Sequence, residues 1–301
     1  MKLITPYCAD FGKPNIIIRH FPDDESYVQI PQIKSLKNKK VTIYHRLYPE
    51  PDKRIFELLL ILSKIKVQTR NIELFAPYLP YARQDRESKT GEVVSADVLC
   101  GLLKSFGVKK LITYDCHFLP RPGNFMRQGL PIENISAGKE LMAYAKKYFN
   151  KKNWKEKFVV IAPDEGSSYF TENAQGHITH SLSKLRNESK LSTKNTSIHA
   201  EIRRIEGEVD VKGKNVCILD DIISTGGTIV HAVRHLKKRG AKKIIVGATH
   251  GVFAGENPEP EQARYGAGIA EKILKQVDYL FTTNSIREKS LIPVIELSCK
   301  Y

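Results

Sequence analysis

The sequence predicts an α/β fold with two similar domains, each a mainly parallel sheet flanked by helices. Short β-branched runs alternate with longer segments of helical periodicity, which is typical of strand–helix–strand units. The same alternation starts again in the second half of the chain. The length of 301 residues suits two domains of about 150 residues each. With 41% hydrophobic and 27% charged residues, the composition is that of a globular protein.

The first half contains three predicted strands separated by two predicted helices. Each strand is a short apolar run of the kind buried in parallel sheets. The second helix stops before Gly107, a residue suited to a helix C-terminus. The strands are predicted at Val41–His45, Ile72–Pro77 and Leu111–Tyr114, and the helices at Arg54–Lys64 and Ser95–Phe106.

The second half repeats this order after a lysine-rich amphipathic stretch, Ser136–Lys155, in which we place the domain boundary. The domains are thus expected at residues 1–142 and 143–301. A polar, basic region, Gly176–Gly207, fits neither period and is either a flexible functional loop or a β-hairpin arm. Strands are predicted at Phe158–Ala162, Val216–Leu219 and Ile244–Ala248, and a helix at Thr228–Lys238.

The net charge and the motifs of the chain limit the classes of binding partner that we expect. Lysine and arginine (48) exceed aspartate and glutamate (33) by 15, so the surface should attract anions such as polyphosphates. No nucleic-acid-binding motif accompanies this charge, so we expect no nucleic-acid partner. The most apolar run, Leu58–Leu62, is too short to span a bilayer, and residues 1–10 contain no apolar signal core. The five cysteines have no CxxC spacing. We therefore expect a cytoplasmic protein without membrane contact.

The most specific segment is Val216–Thr228, where a strand is followed by two acidic residues, a glycine-rich turn and a helix. Glycines let the backbone approach a phosphate, and N–H groups at a helix N-terminus favour an anion. Two carboxylates at the carboxyl end of a strand suit paired ribose hydroxyls. A capped strand–helix turn without a ligand is the alternative. The residues concerned are Asp220, Asp221, Ser224, Thr225, Gly226, Gly227 and Thr228.

Five further motifs follow one another in the chain: Phe21–Glu25, Pro77–Arg86, Ser95–Asp97, Asp115–His117 and Thr249–Gly255. Together with the phosphate turn, they resemble the ribose-phosphate pyrophosphokinase (PRPP synthetase) family, built on the type I phosphoribosyltransferase fold. The resemblance implies two phosphoribosyltransferase-like domains, the second carrying the PRPP loop and a mobile basic arm. It also implies transfer of the β,γ-diphosphoryl group of Mg-ATP to the anomeric hydroxyl of ribose 5-phosphate, giving PRPP and AMP.

The resemblance assigns an adenine pocket to the N-terminal region. Phe21 would stack on the base, and Asp23 and Glu25 would accept hydrogen bonds from its amino group. Phe21 taken alone would more often be a core residue. In the family this hairpin reaches across a subunit interface, so the resemblance implies at least a dimer.

Phosphate and metal contacts are implied in the same way. Arg83, with Gln84 and Asp85, would bind the ATP phosphates; a solvated surface charge is the alternative for Arg83. His117 and Asp164 would be magnesium ligands, although Mg²⁺ prefers oxygen donors and phosphate oxygens must then supply most of the coordination.

The basic arm carries the implied catalytic pair, Lys184 and Arg186, which would stabilise charge on the transferring phosphorus. A merely basic face is the alternative, since Lys190, Lys194 and Arg203 lie nearby. The resemblance assigns the 5′-phosphate of ribose 5-phosphate to Ser224–Thr228 and its 2- and 3-hydroxyls to Asp220 and Asp221. No general base for the anomeric hydroxyl is evident.

The sequence departs from the family pattern in places. The segment Asp164–Tyr169 lacks a glycine and an arginine expected there, and no segment matches the family's regulatory phosphate/ADP site, so allosteric control is not carried over. Two rival functions remain: a phosphoribosyltransferase that consumes PRPP, and a non-catalytic subunit associated with PRPP synthetases. The first would not need the Phe21 and Arg83 motifs.

Overall fold

The computed structural model describes residues 1–154, 158–163, 167, 169–172, 178–181, 183–186, 202–206, 209–254, 267–286 and 292–297. The chain divides into two compact units, Met1–Ser136 and Ala137–Leu297. The division expected between residues 142 and 143 falls inside a helix, Gly138–Lys151. This helix packs within the second unit, because Phe149 stacks on Phe158 with ring centroids 4.4 Å apart. Within the described residues, no helix combines the length and apolarity that a membrane span requires.

The first unit contains one large sheet and one separate hairpin. Its elements are β1 (Lys2–Ile4), a 3-10 turn (Pro6–Phe11), β2 (Ile17–His20), β3 (Ser26–Gln29), a second 3-10 turn (Ile33–Leu36), β4 (Val41–Tyr44), α1 (Pro51–Ile65), β5 (Ile72–Phe75), α2 (Ser95–Ser105), β6 (Val108–Tyr114), β7 (Gly123–Arg127) and β8 (Leu130–Ile135). The sheet has the order β1-β4-β5-β6-β8-β7. Its neighbours are parallel except β7 and β8, and β2 pairs with β3 in an antiparallel hairpin.

The predicted strands and helices of this unit are confirmed, with ends shifted by a few residues. Strands β4 and β5 are buried along their whole length, which explains their continuous apolar runs. Helix α1 buries a stripe at helical spacing, Leu58, Ile61, Leu62 and Ile65. Residue patterning alone did not predict the hairpin β2–β3 or the pair β7–β8, because most residues of β2, β3 and β7 are half-buried or exposed. The family resemblance had implied a hairpin at Phe21.

The second unit is a six-stranded parallel sheet with an added antiparallel pair. Its elements are α3 (Gly138–Lys151), β9 (Val159–Ala162), α4 (Tyr169–Glu172), β10 (Ile178–Ser181), β11 (Ser183–Arg186), β12 (Ile202–Glu206), β13 (Asn215–Ile223), α5 (Gly227–Lys238), β14 (Lys243–Gly251), α6 (Ala267–Leu274), β15 (Tyr279–Thr283) and β16 (Val294–Ile295). The sheet order is β10-β9-β13-β14-β15-β16. Strands β11 and β12 pair antiparallel, so the hairpin alternative for Gly176–Gly207 holds where this region is described.

The sheet of the second unit is packed closely across its three central strands. Gly247 on β14 lies between Leu219 on β13 and Phe281 on β15. A Cβ atom on Gly247 would stand 2.5 Å from Phe281 Cζ and 3.0 Å from Leu219 Cδ2. The two neighbouring side chains therefore fill the space beside the glycine. This packing holds β13, and with it the start of the phosphate turn, against the rest of the sheet.

Candidate active site

The glycine-rich turn has the geometry of a phosphate cradle. It connects β13 to α5, and Gly226 occupies the residue before the helix with a left-handed φ of +73°. The first helical bond runs from Val230 N to Gly226 O, 2.9 Å, so the amides of the first helical turn have no partner inside the helix. Ser224, Thr225 and Thr228 are half-buried beside these amides. This arrangement is suited to an anion.

Gly226 is required for space as well as for conformation. A Cβ atom there would lie 3.0 Å from Ile273 Cδ1 and 3.2 Å from Ile269 Cγ2, both on α6. Ile223, the last residue of β13 before the turn, is held by the segment that follows β14. Its carbonyl oxygen accepts hydrogen bonds from the amides of Val252 and Phe253, each at 3.0 Å. The turn is therefore held between α6 and the segment that follows β14.

Asp220 and Asp221 lie inside β13, not after it as the sequence predicted. The strand continues to Ile223 because β14 pairs with it as far as Gly251. Both acids are buried, with exposed fractions of 5% and 7%. The amide of Asp221 donates a hydrogen bond to Asp220 Oδ1 at 3.0 Å, so the two acids are in direct contact.

Buried hydrogen bonds connect the carboxyl ends of β14 and β15. Thr249 O accepts hydrogen bonds from Thr283 Oγ1 and Ser285 Oγ, each at 2.7 Å. The Nδ1 atom of His250 lies 2.8 Å from the same Ser285 hydroxyl. The motif Thr249–Gly255 contributed to the family resemblance, but no role was implied for its residues. Nothing in the sequence pointed to Ser285. These contacts support the strand end that pairs with β13.

In the first unit, the turn Phe21–Glu25 connects β2 to β3 and presents its side chains to solvent. Phe21 is 53% exposed, so the core alternative for it is wrong. The turn is closed by Phe21 N donating to Glu25 O at 2.8 Å, and Asp24 adopts a left-handed φ of +67°. Asp23 and Glu25 are exposed on the same turn. An exposed ring beside carboxylates is available to stack on a planar ligand.

Arg83, Gln84 and Asp85 lie on the connection between β5 and α2. The Arg83 side chain is exposed, while Gln84 and Asp85 are half-buried. The backbone of this connection is anchored, because Gln84 O accepts the amide of Ala96 at 3.2 Å and Asp85 O accepts Arg127 Nη2 at 2.6 Å. An exposed guanidinium on an anchored turn is suited to a phosphate group.

His117 follows β6 on a loop whose backbone is similarly fixed. The amide of Cys116 donates to Asn134 Oδ1 at 2.8 Å, and the amide of Asp115 donates to Ile135 O at 2.9 Å. Asp115 is fully buried, whereas the imidazole of His117 is exposed. The loop therefore presents the imidazole of His117 to solvent at the carboxyl end of a parallel strand.

Comparison with known proteins decides the family. A family model described as the N-terminal domain of ribose phosphate pyrophosphokinase matches residues 10–107, and one described as a phosphoribosyl transferase domain matches residues 132–279. The ribose-phosphate pyrophosphokinase of Pyrococcus furiosus is 35% identical over 275 residues, covering 90% of this chain and 86% of the relative. That of Sulfurisphaera tokodaii is 32% identical over 297 residues, covering 95% and 90%. The chain belongs to the ribose-phosphate pyrophosphokinase family.

A solved structure agrees with this membership at the level of the fold. The crystal structure of phosphoribosylpyrophosphate synthetase from Mycobacterium smegmatis superposes with a TM-score of 0.73 and 23% identity, covering 99% of this chain and 94% of that one. The resemblance read from the sequence and the predicted fold of two phosphoribosyltransferase-like domains are therefore confirmed.

The remaining residues that the pyrophosphokinase resemblance implied are only partly described. Asp164 lies outside the described residues. Lys184 and Arg186 lie on β11 opposite Ile205 and Ile202, with an irregularity between positions 185 and 186, and their side chains are outside the description. Within the described residues, no group of three histidine, cysteine, aspartate or glutamate side chains could hold a metal ion. The described part of the chain thus offers His117 alone of the two implied magnesium ligands.

Proposed function

We propose that this protein transfers the β,γ-diphosphoryl group of ATP to the anomeric hydroxyl of ribose 5-phosphate. The anomeric oxygen forms a bond to the β-phosphorus, the bond from that phosphorus to the oxygen bridging the α-phosphorus breaks, and AMP leaves. The observation that carries the proposal is the presence, on one chain, of the Gly226 phosphate turn together with the exposed Phe21 and Arg83 elements. A phosphoribosyltransferase would need the first and not the other two.

Ribose 5-phosphate is assigned to the second unit. Its 5′-phosphate would accept hydrogen bonds from the turn Ser224–Thr228, where a helix N-terminus and three hydroxyls converge. Its 2- and 3-hydroxyls would donate to Asp220 and Asp221, which precede this turn. The small exposed fraction of both acids supports a ligand contact with little competition from water.

ATP is assigned to residues of the first unit. The exposed ring of Phe21 would stack on the adenine, and Asp23 and Glu25 would accept hydrogen bonds from its amino group. Arg83, with Gln84 and Asp85, would bind the phosphates. The anchored backbone at Gln84 and Asp85 supports this assignment, because a fixed turn loses little entropy on binding.

His117 and Asp164 would hold Mg²⁺ together with oxygens of the ATP phosphates, because the ion prefers oxygen donors. When bound, the ion supplies positive charge against the phosphate oxygens. Lys184 and Arg186 would add two cations to the charge that develops on the transferring phosphorus. With no evident general base, positioning and charge carry the reaction.

The exposed Phe21 hairpin supports self-association to at least a dimer. Phe21 and Tyr27 both present large rings to solvent, 53% and 39% exposed, with ring centroids 6.1 Å apart. Exposed apolar rings grouped in this way mark an interaction surface. In a dimer they would contact the neighbouring subunit or the adenine bound there. We also propose a cytoplasmic location and no nucleic-acid partner.

The proposal is tested by incubating the purified protein with ATP, MgCl₂ and ribose 5-phosphate and separating the nucleotides. AMP and PRPP should form in equal amounts, and neither should form without the sugar or without magnesium. Release of ADP in the absence of ribose 5-phosphate contradicts the proposal. Consumption of added PRPP with a nucleobase would instead identify a phosphoribosyltransferase, and the absence of both reactions would favour a non-catalytic subunit.

A further inference from the structure

Arg127, at the end of the edge strand β7, contacts three separate segments of the first unit. Its Nε donates to Asp97 Oδ1 at 2.6 Å, and its Nη2 donates to Asp85 O at 2.6 Å. The guanidinium carbon lies 4.3 Å from the centre of the Phe118 ring. The side chain of Arg127 is 19% exposed, and that of Asp97 is 35% exposed.

Two of these segments carry residues assigned to ATP and its metal. Asp85 belongs to the turn of Arg83, and Phe118 directly follows His117 in the chain. The third contact, Asp97, lies in the first turn of α2. A planar guanidinium donates from a rigid fork while its face stacks on a ring, whereas a lysine ammonium is a compact charge without such a plane. The Arg127 side chain therefore fixes the Arg83–Asp85 turn relative to the His117 loop.

Asp97 supplies the charge that keeps Arg127 in place. Desolvation acts to raise the pKa of Asp97, but hydrogen bonds from Arg127 and Gln128 outweigh it and lower this pKa. Gln128 Nε2 donates to Asp97 Oδ2 at 2.8 Å. Because Gln128 holds the same carboxylate independently, removal of Arg127 leaves Asp97 one side-chain partner. What is lost is the connection to Asp85 and to Phe118.

We propose that Arg127 is a positioning residue, which sets the Arg83–Asp85 turn relative to the His117 loop so that both meet the same polyphosphate. This inference rests on the proposed assignment of ATP to these two segments. It requires the fork of the guanidinium, so lysine at this position should not replace it. It predicts an effect on ATP and on magnesium, and none on ribose 5-phosphate.

The test compares R127K and R127M with Q128A, which removes the other contact to Asp97 without touching Asp85 or Phe118. ATP affinity is measured by calorimetry with MgCl₂ and without sugar, and KM values are measured for both substrates. We expect both Arg127 variants to weaken ATP binding about tenfold, the effect of one lost charge-assisted hydrogen bond. They should also raise the magnesium concentration needed for half-maximal rate. KM for ribose 5-phosphate should stay within about twofold, and Q128A should resemble the wild type.

A merely structural role would lower kcat and the melting temperature while leaving ATP affinity unchanged, and that result overturns the inference. Full ATP affinity in R127K would also overturn it, because lysine keeps the charge without the fork. Calorimetry does not depend on turnover, so the inference is tested even where no PRPP forms. Failure of the proposed function would show separately, as absence of AMP from the wild-type protein.

Discussion

The Oε1 atom of Glu57 lies 3.0 Å from Nε2 of His20, beneath the hairpin that carries Phe21. The same oxygen accepts a hydrogen bond from the Tyr7 hydroxyl at 3.0 Å and one from Ser26 Oγ at 3.5 Å. His20 and Ser26 face each other across the hairpin on either side of the Phe21–Glu25 turn. A fully buried carboxylate on α1 therefore closes the base of the proposed adenine-binding turn.

Replacing Glu57 by glutamine should weaken both the fold and ATP binding. Arg54 Nη1 lies 3.4 Å from Glu57 Oε2, and glutamine at position 57 removes this charged contact while the ion pair of Arg54 with the exposed Glu50, 3.5 Å, remains. Loss of a hydrogen bond to a charged group costs about 2 kcal/mol, so E57Q should melt a few degrees lower and show a raised KM for ATP. As a control, K53A removes the ion pair with exposed Asp24 and should cost under ~1 kcal/mol. Equal effects of E57Q and K53A would contradict the central role of Glu57.

Acid should destabilise the protein through His45. Burial lowers the pKa of its imidazole from 6.5 to about 4, although the Arg54 carbonyl and the charge of Glu57 act in the opposite direction. Because the unfolded chain takes up this proton near pH 6.5 and the folded chain does not, stability falls as pH decreases from about 6.5 to about 4. The loss amounts to about 3 kcal/mol over this range. Urea unfolding of H45Q across the same range should give a shallower pH dependence than the wild type; equal slopes would exclude His45 as the source.

Gly226 should tolerate alanine much less well than Gly213 does. Both have similar left-handed φ angles, +73° and +69°, so alanine costs about 1 kcal/mol of conformational strain at each. At Gly213 no atom lies within 4 Å of the added Cβ, whereas at Gly226 the side chains of Ile269 and Ile273 must move. G226A should therefore raise KM for ribose 5-phosphate at least about tenfold by displacing the phosphate turn, and G213A should leave it unchanged. A matching rise in both variants would show that the strain alone is responsible.

The two acids of β13 should be needed for ribose 5-phosphate and not for ATP. Because both are assigned to the sugar hydroxyls, D220N and D221N should each raise KM for ribose 5-phosphate about tenfold or more, as loss of a charge-assisted hydrogen bond should. KM for ATP should change little in either variant. Equal increases in KM for both substrates would mean that the pair instead holds a metal ion or the fold.

Lys184 and Arg186 should affect turnover and leave binding unchanged. If both act on charge that develops at the transferring phosphorus, K184A and R186A should each lower kcat about 10²- to 10³-fold with KM values near wild type. The double variant should lose less than the product of the single losses, because both serve the same charge. Lys190 and Lys194 provide the controls, since no role is assigned to either and alanine there should change kcat little. Similar losses from all four substitutions would mean that the segment is a general basic face.

The sequence predicted the buried parallel strands and the helices between them, because continuous apolar runs and helical spacing are local signals. It placed the end of β13 at Leu219 for the same reason: two acids interrupt the apolar run. In the structure, pairing with β14 carries the strand on to Ile223 and buries Asp220 and Asp221 within it. The local composition of β13 gives no signal for this extension to Ile223, since the partner strand lies in another part of the sequence.

The contacts that position the proposed site residues could not be predicted either, because their partners lie far apart in the sequence. Arg127 reaches Asp85 and Asp97 from an edge strand whose residues alternate between half-buried and exposed, with no motif to mark it. Glu57 was read as one residue of a helix, and its partners Tyr7, His20 and Ser26 come from distant parts of the chain. Motif residues such as Phe21 and Arg83 could be proposed as site residues because their order resembles a family; no such signal in the sequence marked the side chains that hold them.

The close approach of Gly247 to Phe281 restricts how this sheet can diverge. The Phe281 ring takes the space that a side chain at position 247 would need, so any larger residue at 247 requires a smaller one at 281. A single substitution at either position leaves a clash or a cavity, and only a paired change restores the packing. Among relatives that share this sheet, the two positions are thus expected to drift together, with the glycine retained wherever the aromatic ring is retained.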